Sequence, residues 1–189
     1  MTGDPVHLSR YTRTAQLLHW LIALALFFSF SLGLSMADMP VSPKRLQLFS
    51  YHKWIGVTVF ALVMLRLAWR LFHAPPPLPP TMRPWEMRIA DVTHHLLYLF
   101  LFAMPLTGWL MSSAKGFQTV WLGVLPLPDL LSKNPPLGEA LEVVHKWLAW
   151  MFLGLIGMHV AAAIKHAVID RDEVLWRMLP RRRPPGPAP

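Results

Sequence analysis

The stretch VVHKWLAWMFLGLIGMH, residues 143–159, places His145 and His159 fourteen positions apart in an otherwise apolar run. At about 3.6 residues per turn, that spacing closes almost four turns, so the two histidines share a helix face, separated by about 21 Å along the axis. The apolar block around them, residues 141–168, exceeds the roughly 20 residues needed to cross a bilayer. Ionisable side chains are costly at membrane depth and are usually functional there. One membrane helix therefore presents imidazoles at two depths, and the rest of the fold has to supply what faces them.

Working outward, three more blocks have the same character: 14–37, 52–72 and 92–113. Across the chain 54% of residues are hydrophobic and only 15% charged. A soluble domain of 189 residues has only one core in which to hide so much apolar surface. The expected fold is all-α, a single integral membrane four-helix bundle spanning 1–189. Between the blocks, 40–50 reads as a short polar connection. Residues 73–88 are dense in proline and cannot form a continuous helix. Residues 114–140 read as the longest loop, carrying Pro126, Pro128, Pro135 and Pro136. The Arg/Pro-rich tail, about 180–189, reads as disordered.

Charge assigns an orientation. The side holding both termini and the second loop carries twelve basic and six acidic residues, and the other side six basic and four acidic. The excess of Lys and Arg predicts that both termini are cytoplasmic. Because the basic residues sit at span ends, the net charge of +8 is a membrane signature, and nucleic acid is not an expected partner. The chain contains no cysteine. That excludes disulfides, iron–sulfur clusters, c-type haem attachment and thiolate ligation.

Histidine is then the main candidate metal ligand. His19 lies near the cytoplasmic start of the first span, level with His159. His52 lies at the outer start of the second, level with His145. Two facing imidazoles from different helices, with room between them, are what a bis-histidine haem iron requires, and bundle cores supply that geometry. Interfacial anchoring or inter-helical hydrogen bonding would explain any one of these histidines alone; two level pairs are harder to explain that way. Gly33, Gly56, Gly154, Gly157 and Ala161 either give a macrocycle room or serve ordinary helix packing. His94 and His166 form a candidate cytoplasmic cluster for binding and protonating a quinone, or are simply polar interfacial residues. Arg66 and Arg70 are candidate contacts for haem propionates or for anionic lipid headgroups.

A wider set of residues resembles the bacterial cytochrome b561 family of small di-haem membrane cytochromes. It begins with Tyr11-Thr-Arg13 and His19-Trp20, then His52 with Gly56 and Val63-Met-Leu-Arg66-Leu-Ala-Trp-Arg70. It continues through His94 to Tyr98, Pro105, Gly108 and His145. It ends with Gly157-Met-His159-Val-Ala-Ala-Ala, His166 and Leu175-Trp-Arg-Met-Leu-Pro180. The order and spacing extend from about residue 10 to 182. The resemblance implies two haem b groups, the inner on His19 and His159 and the outer on His52 and His145. It also implies a multi-pass protein of the bacterial inner membrane. Some members are superoxide oxidases, which implies superoxide as donor at the outer haem and ubiquinone as acceptor at the inner side. Lys115, with Lys53 and Lys146, is then the candidate patch attracting superoxide, or else these lysines solvate the interface. Two other functions stay open: a quinol-linked cytochrome b serving a separate redox partner, and a haem-free membrane interaction protein.

Overall fold

A computed structural model describes residues 10–79 and 82–180. Its helices are α1 (Arg13–Ala37), α2 (Pro43–Phe72), α3 (Pro84–Ala114) and α4 (Pro135–Lys165). A π-helical turn, His166–Asp170, prolongs α4, and a 3-10 turn, Trp176–Met178, follows. All four helices are long and apolar enough to cross a membrane. The protein is a membrane helical bundle.

Three helices begin well before the apolar blocks do, at residue 43 where the hydropathy suggested 52, at 84 for 92, and at 135 for 141. The cause is the same each time. Proline occupies the first helical position, where its missing N–H costs nothing and its fixed φ suits the helix. The prolines that read as loop markers at 84, 135 and 136 are helix starters. Capping side chains complete each start: Ser42 Oγ accepts from Arg45 N at 3.3 Å, and Asn134 Oδ1 accepts from Leu137 N at 3.2 Å. Arg83 N donates to Glu86 at 3.1 Å. Much of the expected 40–50 connection is accordingly helical, and the proline-dense break shrinks to the residues ahead of Pro84. The disorder expected of the tail falls on residues 181–189, outside the described residues.

Residues 114–140 are also more ordered than a plain loop. Val120–Trp121 and Leu125–Pro126 pair as a small antiparallel hairpin, the one departure from the all-α expectation among the described residues. Its tip needs positive φ, at Leu122 (53°) and Gly123 (73°), and glycine adopts that conformation without strain. Side chains of α2 hold the hairpin down. Trp54 Nε1 donates to Val120 O at 2.6 Å, Trp121 Nε1 to Thr58 Oγ1 at 3.2 Å, and Lys53 Nζ to Phe117 O at 3.1 Å.

In the bundle α1 packs along α2, α3 along α4, and the two hairpins meet where α2 touches α3. The core is a thin layer of Ile22, Val59, Val63, Phe100, Leu101 and Phe152 at mid-depth. Most other large apolar side chains point outward, as a lipid-facing surface demands. Backbone approach between α4 and either α1 or α2 is sparse. Those helices meet through side chains instead: Phe30 against Phe152 at 5.9 Å, and the histidines.

Candidate functional site

The four histidines singled out by depth face each other in two pairs. The ring centroids of His52 and His145 are 6.3 Å apart with the planes at 85°, and those of His19 and His159 are also 6.3 Å apart, at 67°. An imidazole nitrogen binds a transition metal at about 2 Å. With about 1.1 Å from each nitrogen to its ring centre, two imidazoles on one metal have centroids roughly 6.2 Å apart. Both pairs meet that requirement. The open backbone spacing between α4 and its partners agrees with it, as do Gly56, Gly154 and Gly157, where an added Cβ would meet nothing within 4 Å. Those glycines are not serving close helix packing. The residues fit a haem at each level.

At the His52–His145 level, neighbouring groups fix the rings. His52 Nδ1–H donates to Ser29 O at 3.0 Å, with Ser29 Oγ at 3.3 Å. Thr107 gives its own hydrogen to Met104 O at 3.0 Å, so its oxygen is left to accept from His145 Nδ1 at 3.1 Å. In both rings the proton is held on Nδ1 and the Nε2 lone pair is free for a metal, the usual outer-shell arrangement of a ligating histidine. Glycines make room: a Cβ at Gly108 would come within 3.3 Å of His145 Cε1, and one at Gly33 within 3.6 Å of His52 Cε1. Sequence reasoning does not pick out Ser29 or Thr107, and it gives Gly108 no role at the site. Each acts through a ring on another helix, and helical periodicity does not reveal which helix that is.

At the other level, His94 from α3 stands edge-on to His159 at 5.4 Å, and Trp20 edge-on to His19 at 5.4 Å. Arg66 Nε donates to Tyr98 Oη at 3.0 Å and its Nη1 to Ala15 O at 2.7 Å, while Arg70 lies over the Tyr98 ring at 5.5 Å. His166 is buried and engaged elsewhere. Its Nδ1 contacts Asp172 Oδ2 at 2.6 Å and Asp170 Oδ2 at 3.0 Å, in a network that reaches Lys165 and Glu86. No hydrogen bond or ring contact joins His94 to His166 among the described residues. The structure thus sets His94 beside the histidine pair and His166 in a carboxylate cluster made by the π turn, which sequence spacing does not foresee.

The lysines expected to form a cationic patch are tied down. Lys115 is ion-paired with Glu142, and Lys146 binds the same carboxylate at 2.7 Å. Glu142 lies three residues before His145; the sequence reading counts it only among the four acids of the side opposite the termini, although its i,i+4 spacing to Lys146 is legible there. Lys115, Lys146 and Glu142 together carry +1, so with Lys53 the balance is +2 where the sequence suggests three free cations.

A model of the prokaryotic cytochrome b561 family matches residues 10–181. Cytochrome b561 homolog 2 of Escherichia coli (strain K12) is 33% identical over 174 residues, covering 90% of this chain and 91% of that protein. The probable superoxide oxidase CybB of Yersinia pestis is 28% identical over 173 residues, covering 88% and 93%. Cytochrome b561 homolog 1 of Escherichia coli (strain K12) is 27% identical over 177 residues, covering 93% and 100%.

Proposed function

The chain belongs to the prokaryotic cytochrome b561 family, membrane cytochromes that hold b-type haem and transfer electrons, and from that premise we propose that it is a superoxide:ubiquinone oxidoreductase of the bacterial inner membrane. In this reading both termini are cytoplasmic, His19 and His159 hold an inner haem b, and His52 and His145 hold an outer one. The observation that carries it is the presence of two histidine pairs, each with ring centroids 6.3 Å apart, at opposite ends of the bundle. When bound, the two groups supply one-electron carriers at two depths. In each turnover, two superoxide anions each give up one electron and leave as dioxygen, and one ubiquinone takes both electrons and two protons to become ubiquinol.

The chain's own residues do the remaining work. Ser29 and Thr107 hold the outer imidazoles in one tautomer. Glu142 gathers Lys115 and Lys146 one turn from His145, which leaves a modest positive field at the outer face to draw in a small anion. His94, beside His159, and His166, with its carboxylates, are the side chains we assign to the quinone at the inner face. The similarity to a protein named as a probable superoxide oxidase supports this choice of donor.

Partial compensation of Lys115 and Lys146 by Glu142 favours a second reading, a quinol-linked electron carrier that serves a separate redox protein. A reduced-minus-oxidised spectrum of the detergent-purified chain separates the possibilities, with haem quantified per chain before superoxide and then ubiquinone are added. The expected result is two b-type haems per chain, reduced by superoxide and reoxidised by quinone. Two haems indifferent to superoxide would leave the carrier, and a chain without haem would sink both readings.

The charge contribution has its own test. Lys115→Glu places a second carboxylate beside Glu142 and reverses the local field. Reaction with superoxide is expected to slow several-fold at low ionic strength, with the difference shrinking as salt shortens the Debye length to about 8 Å near 0.15 M. A stopped-flow rate unchanged at low salt would remove Lys115 from the proposed outer site.

A further inference from the structure

The pattern Leu175-Trp-Arg-Met-Leu-Pro180 has no part in the histidine pairs, yet its arginine is buried. Arg177 is only 5% exposed, and arginine almost never occupies such a position unless it is paired. Its Nη1 donates to Pro77 O at 2.6 Å. Its Nε is buried with no hydrogen-bond partner among the described residues. The backbone around it is clamped to α1: Gln16 Nε2 donates to Arg177 O at 2.9 Å, and Trp20 Nε1 donates to Met178 O at 2.9 Å. Trp20 in turn lies edge-on to His19.

Arg66 is fastened to the adjoining residue of the same turn, at Ala15 O, and shares Tyr98 with Arg70. Tyr11, just ahead of α1, lies within the field of all three arginines. Burial pushes its hydroxyl up, while Arg70, Arg66 and Arg177 pull it back. Three guanidinium groups therefore gather around the first turns of α1, immediately before His19. No ion pair among the described residues includes an arginine. A guanidinium stays charged at any ordinary pH. Of the three only Arg177 is buried, Arg66 being half-buried and Arg70 exposed; a buried charge without a counter-charge is costly, and neighbouring charges of one sign repel one another.

We propose that Arg177, Arg66, Arg70 and the Tyr11 hydroxyl form an anion site at the inner end of the bundle, one that takes a ligand with paired anionic oxygens, a carboxylate or a phosphate. Arg177 is the member contributed by the C-terminal segment, and its planar fork suits two-oxygen recognition. Two sources offer that chemistry. One is a propionate carboxylate of the inner haem, a choice that rests on the haem reading above and is favoured by the deep burial of Arg177 and its clamp beside His19. The other is the phosphate of a lipid headgroup.

The test uses the full-length chain as purified, wild type against Arg177→Gln and Arg177→Lys, with outer-haem retention as the fold control. Three readouts are taken: the midpoint potentials of both haems, the rate at which each haem passes to excess apomyoglobin, and the phospholipid phosphate retained after passage through phosphatidylglycerol micelles. For a propionate, R177Q shifts the inner potential downward and speeds inner-haem loss about tenfold, the value of one charge-assisted hydrogen bond, and leaves the outer haem unchanged. R177K restores the potential more fully than the retention. For a headgroup, R177Q retains less phosphate per chain and both potentials stay put. Two haems in every variant, with potentials, retention and bound phosphate all unchanged, would overturn the site and leave the haem reading standing. A wild-type chain without haem would overturn the haem reading itself.

Discussion

Replacing His159 with alanine is expected to leave one haem per chain in place of two, the survivor being held by His52 and His145. The two levels lie about 21 Å apart along α4, and no residue described at one contacts a ligand of the other. Substitutions so far apart act independently. The loss should be large. Removing a mere hydrogen-bond partner of a metal-bound histidine already costs about 10–100-fold in affinity, and here the imidazole itself is gone. His19→Ala should give the same spectrum, and the double variant should lose nothing further, because each single change already empties the same site. His94 introduces one complication, since its ring stands 5.4 Å from that of His159 and a shifted haem could recruit it. Residual inner haem in the single variant that disappears on adding His94→Ala would identify such a substitute. Loss of the outer haem alone would reverse the pairing.

This pairing is legible in the sequence because it depends on two simple periodicities. Fourteen residues on one helix fix a face and a depth difference, and alternating spans bring the other two histidines level with them. The supporting groups are not legible for a matching reason. Ser29, Thr107 and Gly108 influence His52 and His145 from other helices, and their effect depends on the rotation of each helix about its axis. Apolar periodicity, which normally reports that rotation, is weak in a helix that is hydrophobic all round. Arg177 is hidden differently. It sits in a short turn beyond the last span, where an arginine reads as an interfacial anchor until the backbone is seen to fold back against Gln16 and Trp20.

The span boundaries follow the same division. Hydropathy locates the four apolar blocks and misses the starts of α2, α3 and α4, because it measures preference for lipid rather than for helix. Capping residues and first-turn prolines record helix starts in water-facing sequence, and Ser42-Pro43 and Asn134-Pro135 carry that record. The early start of α4 adds about two turns ahead of Glu142, which already falls within the apolar block, one turn before His145, and pairs with Lys115 and Lys146.

His145→Ala should have the largest effect on reaction with superoxide, abolishing it down to the buffer control, whereas Lys115→Glu only slows it. Field reversal changes how often the anion arrives, and steering alters on-rates by about 10–10³-fold at most. Loss of His145 removes the outer site that receives the electron, and no rate of arrival compensates for that. The inner pair should survive in this variant and still take electrons from ubiquinol added to proteoliposomes, because nothing at that level depends on His145. Superoxide consumption by stopped flow and quinol-driven reduction by absorbance therefore separate the two ends of the protein in one preparation. Oriented vesicles extend the test: superoxide generated on the side opposite the termini should react with the wild type, and superoxide on the terminal side should not. If the His145→Ala chain still reduced ubiquinone with superoxide, electron entry would belong at the His19–His159 level, and the assignment of outer and inner ends would have to be exchanged.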